Sequence, residues 1–296
     1  MSSSQIAGLQ VGPLREDELG EALRICNLAF ATFLGIPDRF GDRDMIGPRF
    51  RAGADVLAAR IGGRLIGSNV VTRWGSFGFF GPLTVLPEFW DKGVAQRMLE
   101  RTLAMFDAGG VRHSGLFTFP HSAKHIGLYQ KFGYWPRYLT AIMTKTPAGQ
   151  PVAVRPAVAQ PVLPAADHAT IHEIAGRIFP GLDLSMELRS DHVIALSDAF
   201  AILRTGAGTE GGSQTCYIKF AAARDAAAFQ HLLDRCEAFA AARALPVEAG
   251  VNLSRVEAYR ILRARGYRTG MQGVAMHRPH EEGFNRAGVY VLDDWR

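Results

Sequence analysis

Apolar and polar residues follow strand-like and helix-like periods through residues 11–144. Apolar runs rich in β-branched and aromatic residues predict strands, whereas apolar residues spaced three and four apart predict helices. Gly62 and Gly63 predict a hairpin turn, and Gly109 and Gly110 predict the end of a helix. The predicted elements are strand 11–14, helix 16–34, strands 56–61, 65–74 and 79–86, helix 94–106, strand 116–119, helix 122–132 and strand 138–144.

A proline-rich segment divides the chain. Residues 146–164 contain five of its fifteen prolines. Because proline lacks an N–H and fixes φ, this stretch cannot be helical. We expect a domain boundary near Gln150, which gives an N-terminal domain at 1–149 and a C-terminal domain at 150–296. A chain of 296 residues has room for two domains of about 100–200 residues.

The second half repeats the pattern of the first. Residues 96–99 align with 230–233 at a shift of 134 positions, and Gly133 and Tyr134 align with Gly266 and Tyr267 at a shift of 133. In each copy the Gly-Tyr pair ends a predicted helix and precedes an apolar strand, and strand 116–119 falls opposite 248–251. The repeat predicts two copies of one fold. Two unrelated α/β domains are the alternative.

Composition narrows the class of protein. Hydrophobic residues make up 48% of the chain and charged residues 21%, as in an ordinary globular protein and unlike a disordered one. No apolar run approaches the ~18–20 residues that span a bilayer, and the first residues lack the pattern of a signal peptide. The three cysteines form neither a disulfide framework nor a zinc motif. We expect a reduced, cytoplasmic protein with inert core thiols and no metal ion.

The charge of the chain is mildly basic. A net charge of +5 suits an anionic small ligand as well as it suits nucleic acid. No run of Lys and Arg exceeds two residues, whereas dedicated nucleic-acid binders cluster their charge more visibly. The distribution therefore favours a small ligand and disfavours nucleic acid.

Residues 81–100 carry the most informative chemical pattern. A strand ends at Pro87, and a loop with one glycine, Gly93, leads directly into a helix. The first N–H groups of a helix lack partners and, with the helix dipole, form a site suited to a pyrophosphate. Gly93 and the small Ala95 let the backbone approach such a ligand closely. Many strand–loop–helix turns bind nothing, so this pattern alone is a weak signal.

A second pattern lies at residues 122–134. It places Tyr129 on a predicted helix, four residues before Gly133, with Leu128 and Phe132 spaced to face inward. Taken alone, Tyr129 reads most simply as a half-buried packing residue.

Together the two patterns resemble the GNAT superfamily of acyl-CoA-dependent N-acetyltransferases. The family's first motif, Val-x-Pro and then Gln/Arg-x-x-Gly-x-Gly/Ala, is similar to Val-Leu-Pro at 85–87 and Trp-Asp-Lys-Gly-Val-Ala at 90–95. Its second motif, Asn-x-x-Ala-x-x-Leu-Tyr-x-x-x-Gly-Phe/Tyr, is similar to residues 122–134. This sequence departs at Trp90, Ser122 and His125, which replace Gln or Arg, Asn and Ala. The resemblance implies an α/β (α+β) fold of two tandem GNAT-like domains, each a mixed, largely antiparallel sheet flanked by helices.

The resemblance also implies a site and a mechanism. Acetyl-CoA would be the co-substrate, and its pantetheine would pair with the backbone of Leu83 and Val85. The N–H of Val85 would polarise the thioester carbonyl, and Tyr129 would protonate the departing thiolate. The amides of 91–96 would hold the pyrophosphate. The expected acyl-CoA-binding residues are Leu83, Val85, Trp90, Asp91, Lys92, Gly93, Val94, Ala95, Gln96, Ser122 and Tyr129.

The general base is not evident, because residues 79–86 contain no acid. His121 follows strand 116–119 and can titrate near neutrality, which makes it a candidate catalytic residue. A loop histidine bonded to backbone is the simpler interpretation. His125 is a second candidate. Asp42 and Asp44 could meet an acceptor amine, or could serve as helix caps or solvated loop residues.

The second copy lacks the corresponding chemistry. Leu262 stands at the position of Tyr129, and the loop at 224–229 has no glycine and places Phe229 where Ala95 stands. Although Ala258 matches the family's small residue, Tyr259 is out of register as a substitute for Tyr129. We expect a degenerate, non-catalytic domain. We also expect that a strand from the junction, or the predicted strand 289–292, completes a sheet across the two domains.

Three functions remain open from the sequence. The first is transfer of an acetyl group from acetyl-CoA to the amine of a small molecule. The second is a non-catalytic CoA-binding or regulatory protein, and the third is an aminoacyl-tRNA-dependent transferase. The aromatic strand residues Trp74, Phe77, Phe79 and Phe80 predict core packing or, alternatively, an apolar acceptor pocket. A monomer and a homodimer are both compatible with two tandem domains.

Overall fold

The computed structural model describes residues 6–36, 41–147, 164–189 and 192–295. Helices and strands alternate as the periodicity predicts. The helices are α1 (Leu19–Leu34), α2 (Gly47–Ala52), α3 (Val94–Ala108), α4 (Ala123–Gln130), α5 (Ala165–Ile178), α6 (Ala226–Ala241) and α7 (Val256–Ala264). The strands are β1 (Leu9–Pro13), β2 (Asp55–Ile61), β3 (Arg64–Trp74), β4 (Phe77–Val85), β5 (His113–Thr118), β6 (Trp135–Lys145), β7 (His192–Ala195), β8 (Ala199–Gly206), β9 (Gly212–Ala223), β10 (Val247–Asn252), β11 (Arg268–Arg278) and β12 (Tyr290–Leu292).

All the strands of the described residues belong to one sheet. Its order is β1-β2-β3-β4-β5-β11-β6-β10-β9-β8-β7, and β12 pairs with β9 beside this path. The pairs β4–β5 and β9–β10 are parallel, and the other pairs are antiparallel. The predicted mixed, largely antiparallel sheet flanked by helices is therefore confirmed.

The two halves exchange strands at the centre of the sheet. β5 of the first half pairs with β11 of the second, β10 of the second half pairs with β6 of the first, and β6 and β11 pair with each other. The strand that joins the two halves is β11, so the expectation for strand 289–292 is wrong: β12 pairs with β9 of its own half. Residues 148–163 of the junction, the other expected source of a strand, lie outside the described residues. β11 has the length to bridge β5 and β6, whereas β12 has three residues.

The internal repeat is visible in the elements themselves. β6 and β11 are 11-residue strands offset by 133 positions, and α4 and α7 begin at the same offset. In each half a helix leads into a short strand, a short helix and a long strand. The expected domain boundary near Gln150 lies outside the described residues.

An aromatic core joins the halves. Trp74, Phe77 and Phe79 are fully buried and pack against Phe220 and Trp295 of the second half. These three rings are core residues, as the simpler interpretation holds. The three cysteines are buried and free, and burial raises the pKa of Cys26 to about 12. They are the inert core thiols that the sequence predicts.

The short helix α2 was not predicted. It has six residues, begins at a glycine followed by a proline, and ends before Gly53, which has a φ of +99°. So short an element offers no helical period to detect. No helix of the described part of the chain is long and apolar enough to cross a membrane.

Candidate active site

A cavity opens where β4 and β5 separate. The two strands pair only from Phe77 with His113 to Phe79 with Gly115 and then diverge. The space between their carboxyl ends contains a cavity of about 650 Å³. Residues of α1, α4 and the start of α3 form its walls, so the cavity can hold an extended ligand beside β4.

Leu83 and Val85 present their backbone groups to this cavity. The Leu86 N–H donates to the Ile66 carbonyl oxygen (2.8 Å), and Val85 lies opposite Gly67. Because bonded and non-bonded positions alternate in an antiparallel pair, the backbone groups of Leu83 and Val85 point away from β3. Both residues line the cavity. They can pair with a ligand in the manner of an added strand.

A bulge in β4 precedes these residues. The register between β3 and β4 shifts at Gly81 and Pro82, and the carbonyl oxygen of Gly81 accepts a hydrogen bond from Nη1 of Arg49 (2.6 Å). Arg49 is 2% exposed, and its Nε lies 3.5 Å from a carboxylate oxygen of Glu210 in the second half. Burial would raise the pKa of Glu210, but nearby cations, Arg49 and Arg204 among them, outweigh burial and lower it. A buried ion network from the second half therefore anchors the bulge.

The loop between β4 and α3 leaves the first N–H groups of a helix without a side-chain cap. Gly93 stands at the N-cap of α3 with a φ of +80°, and no side chain caps the first N–H groups of this helix. Those groups are free to bind an anion, and the first turn carries no acidic residue. The side chains of Lys124 and Lys131 on the facing helix line the same cavity. These two lysines were not identified from the sequence, because only the fold brings α4 opposite the loop.

Trp90 caps the exposed edge of β4. Its indole Nε1–H donates to the carbonyl oxygen of Val85 (2.7 Å). The ammonium of Lys124 lies 5.5 Å from the centre of the Trp90 ring and pairs with Asp91 (2.7 Å). Trp90 therefore occupies an acceptor that a ligand along β4 could otherwise use.

Tyr129 is a buried residue with an ionisable hydroxyl in the wall of the cavity. It is 8% exposed and packs against Phe80, with ring centres 5.8 Å apart. Its hydroxyl has no hydrogen-bond partner among the described residues, and the residue lines the cavity. Burial raises the pKa of Tyr129, so the hydroxyl keeps its proton at neutral pH.

The two histidines near the cavity differ in placement. His125 lines the cavity, and burial, with the charge of Lys124, lowers its pKa, so the ring is neutral at pH 7. His121 does not line the cavity; its ring stacks on Phe33 with centres 6.1 Å apart. The geometry brings His125, and not His121, to the cavity.

Asp42 and Asp44, which follow α1, accept hydrogen bonds from backbone N–H groups of nearby loops. Oδ1 of Asp44 accepts the N–H groups of Ile46 and Gly47 (2.8 Å each), and Asp42 accepts the N–H of Ser213 (3.1 Å). Neither aspartate lines the cavity. Their placement matches the simpler interpretation as cap and loop residues.

Most of the predicted site residues meet in this cavity. Lys92 does not line it and instead lies over the Phe89 ring (5.4 Å), and Ser122 does not line it and instead caps α4 by accepting the His125 N–H (3.4 Å). The predicted residues that line the cavity are Leu83, Val85, Trp90, Asp91, Gly93, Val94, Ala95, Gln96 and Tyr129.

Both halves contribute apolar side chains to the lining of the cavity. Phe30, Phe33 and Met45 come from the first half, and Met271 and Trp295 come from the second half. No local sequence signal identifies Met271 and Trp295, because they reach the cavity only through the exchanged strand β11 and the end of the chain.

The equivalent cleft of the second half is filled. β12 pairs with the end of β9 and also contacts β10, so it lies where these two strands diverge. The side chain of Asp225 caps α6 by accepting the N–H of Ala228 (2.9 Å). Phe229 and Leu262 are fully buried in the core of this half. Among the described residues, the second copy therefore has β12 in its cleft and a capped start at α6, the helix equivalent to α3.

Comparison with known proteins finds a family match within the first half of the chain. Residues 24–134 match the model of the acetyltransferase (GNAT) family. A candidate acetyltransferase from Pyrococcus horikoshii is 13% identical with a TM-score of 0.68, over 98% of this chain and 96% of that one. A GCN5-related N-acetyltransferase from Sphaerobacter thermophilus is 13% identical with a TM-score of 0.58, over 93% of this chain and 96% of that one.

At such identities the two structures show a shared fold, here across both halves of the chain. A search of curated proteins by sequence finds no match. The segment that matches the GNAT acetyltransferase family model, residues 24–134, carries the cleft, the glycine loop and Tyr129.

Proposed function

We propose that this protein transfers an acetyl group from acetyl-CoA to the amine of a small molecule. One observation carries the proposal: the backbone edge at Leu83 and Val85, of which Trp90 occupies only the Val85 carbonyl, the uncapped helix start at Gly93 and the unpartnered hydroxyl of Tyr129 all line one cavity. These groups match, in order, a pantetheine, a pyrophosphate and a thioester sulfur. Acetyl-CoA supplies the activated acyl group.

Val85 and Tyr129 act on different atoms of the thioester. The Val85 N–H donates to the thioester oxygen as negative charge develops there. Tyr129, kept protonated by burial, donates its proton to the sulfur as the carbon–sulfur bond breaks. The nitrogen loses one proton to solvent as it bonds to the acyl carbon, and solvent reprotonates Tyr129, so the protons balance.

The walls of the cavity favour an uncharged acceptor with an apolar or aromatic body. Among the described residues that line it, Asp91 is the sole carboxylate, and Lys124 neutralises it. Phe30, Phe33 and Met45 line the cavity and offer apolar contact. A protonated amine would find no counter-ion there, whereas a weakly basic amine needs none. The proposal does not use His121.

We propose a structural role for the second half. The strand β12 in its cleft and the Asp225 cap on α6 support a non-catalytic domain. Its contribution is to complete the sheet beside β5 and the apolar lining of the cavity.

Calorimetric titration with acetyl-CoA tests the binding step. The parent protein should bind in the micromolar range, and Gly93→Trp should abolish binding because the side chain fills the loop. Gly110→Trp is the matched control, since Gly110 also has a positive φ (+68°) but lies at the other end of α3. Loss of binding in both variants, or in neither, would remove the assignment of the loop.

Turnover with a panel of aromatic and aliphatic amines tests the chemistry. Tyr129→Phe should lower kcat by at least about a hundredfold and leave acetyl-CoA affinity nearly unchanged. Binding without turnover of any amine would favour a non-catalytic CoA-binding protein. Salt-dependent RNA binding would instead favour the aminoacyl-tRNA alternative.

A further inference from the structure

A second cavity lies at the junction of the two halves, away from the cleft. It has a volume of about 730 Å³ and shares no lining residue with the acetyl-CoA cavity. The starts of β5 and β6, the end of α5 and the loop at 281–286 enclose it. Because the cleft lies beyond the carboxyl end of β5, the two cavities are at opposite ends of that strand.

Three arginines that form no ion pair with another described residue line this junction cavity. Arg112 donates to the carbonyl oxygen of Pro180, Arg137 donates to that of His280 (3.2 Å), and Arg286 donates to that of Gly283. A carbonyl group is neutral, and none of these arginines forms an ion pair with another described residue. Their positive charges are therefore available to a ligand.

The remaining charged residues of the cavity leave this balance positive. A fourth arginine, Arg177, is paired with Glu173 (2.8 Å). Glu281 and Glu282 also line the cavity, but neither forms an ion pair with a described arginine. Three unpaired guanidinium groups thus outnumber two carboxylates.

Arg137 also has an unsatisfied donor. Its Nε is enclosed and has no hydrogen-bond partner among the described residues. An enclosed donor of a charged group costs free energy unless a ligand or water accepts from it. Arg137 lines the cavity, so its guanidinium group is available to an anion there.

A series of hydrogen bonds between buried side chains determines which ring nitrogen of His113 carries the proton. Arg255, which is fully buried, donates to Oδ1 of Asn285, and this orients the amide so that Nδ2 donates to Nε2 of His277 (2.9 Å). The proton of His277 must then lie on Nδ1, which donates to Nε2 of His113 (2.9 Å).

The same logic places the proton of His113. Because Nε2 of His113 accepts, its proton is on Nδ1, and Nδ1 has no partner among the described residues. His113 is 2% exposed and lines the cavity. The ring therefore offers an N–H donor for which the described residues provide no acceptor.

We propose that the junction cavity binds a small molecule that carries a phosphate group. Arg137 and His113 donate to the phosphate oxygens, and Arg112 and Arg286 balance its charge. Guanidinium groups fit phosphate geometry well, and several converge here. The cavity is a pocket between loops and not an extended basic stripe with aromatic platforms, which favours a small molecule over nucleic acid. Its volume suits a phosphorylated metabolite.

Titration of the full-length protein with inorganic phosphate and with pyrophosphate tests the proposal. Arg137→Gln should weaken binding at least about tenfold, because a charged donor is lost. Arg73→Gln is the matched control: Arg73 is an exposed arginine, paired with Asp55, that lines neither cavity. His113→Phe is a second variant that keeps the ring and removes the donor. Melting temperatures verify that each variant is folded.

The titration is repeated with CoA present, because the loop at Gly93 is the other anion site. Binding that survives CoA and is lost in Arg137→Gln supports the junction site. Binding that CoA abolishes, binding that Arg137→Gln leaves unchanged, or no binding of either anion would overturn it. The readout is independent of acetyl transfer, so the proposal stands or falls separately from the proposed function.

Discussion

The indole of Trp90 occupies a hydrogen bond that an extended ligand along β4 would otherwise use. The related motif has Gln or Arg at this position, and the sequence suggested only that a phosphate-binding side chain was missing. The structure gives the replacement a role of its own, because the indole N–H satisfies the carbonyl of Val85. A pantetheine amide must then share or displace this bond.

Trp90→Phe should tighten acetyl-CoA binding by about threefold to tenfold. The phenyl ring keeps the packing beside Lys124 but frees the Val85 carbonyl for the ligand, and one neutral hydrogen bond contributes about 0.5–1.5 kcal/mol. Calorimetric titration measures the change. Trp135→Phe, at an exposed tryptophan that does not line this cavity, is the control. Weaker binding in Trp90→Phe would mean that the indole itself holds the ligand.

The buried histidine pair should make the protein sensitive to acid. Burial lowers the pKa of His113 to about 4 and that of His277 to about 2, and Arg137 opposes the protonation of both. In the unfolded chain each titrates near ~6.5. As the pH falls from 6.5 towards 4, the unfolded state binds protons that the folded state does not. The stabilisation present above pH 6.5 is thus lost at about 1.4 kcal/mol per pH unit for each histidine.

Urea denaturation at several pH values between 7 and 5 measures this loss. His277→Gln should reduce the dependence of the unfolding free energy on pH by about half, since one of the two histidines is removed. His231→Gln, at an exposed histidine on α6, should leave the dependence unchanged. The same slope in all three proteins would contradict the assignment to the buried pair.

At the scale of elements, the sequence predicts what local periodicity determines. The helix at α3, the long strand β6 and the repeat at β11 all follow from apolar spacing and Gly-Tyr punctuation. Which strand lies beside β5 does not follow, because β6 and β11 have the same length and similar patterns. The fit that selects β11 is steric: a Cβ at Gly273 would lie 2.1 Å from the ring of Phe117 on β5.

The candidate active site shows the same limit, because a sequence reveals only local patterns. The glycine loop and Tyr129 were found because their motifs are continuous in sequence. Arg49, Met271 and Trp295 were not found from the sequence. Arg49 reaches the bulge of β4, and Met271 and Trp295 reach the cavity, only through contacts between distant segments. Ser122 was expected to bind CoA through its place in the motif, and the structure assigns it a hydrogen bond at the start of α4.

Deletion of residues 287–296 should destabilise the protein strongly. The deletion removes β12 from the cleft of the second half, and it takes Asp293 and the Val291 carbonyl away from Arg255, which is fully buried. A buried cation without its partner costs about 3–5 kcal/mol. The melting temperature and solubility measure the effect. Asp293→Asn, which keeps the strand, should be affected less, and a deletion variant as stable as the parent would show that β12 is dispensable.

At the scale of the whole molecule, the second half is part of the proposed site. Glu210 contacts Arg49, which anchors the bulge of β4. Glu248 on β10 pairs with Arg43, which lines the cavity (3.1 Å). The second half therefore contributes to the shape of the cavity, and its strands pair with those of the first half at the centre of the sheet.

Separation of the halves should abolish both folding and acetyl-CoA binding. A fragment of residues 1–147 leaves the edge of β5 without β11, and such an edge pairs with other chains. It also loses Trp295, whose ring packs so closely on Gly115 that an added Cβ would lie 2.5 Å away. We expect this fragment to aggregate when made alone and to regain solubility and acetyl-CoA binding when made together with residues 164–296. In a full-length control with a protease site inserted between 148 and 163, cleavage after folding should leave both fragments in one particle by size-exclusion chromatography. A monomeric 1–147 fragment with the full chain's affinity for acetyl-CoA would show that the second half does not complete the site.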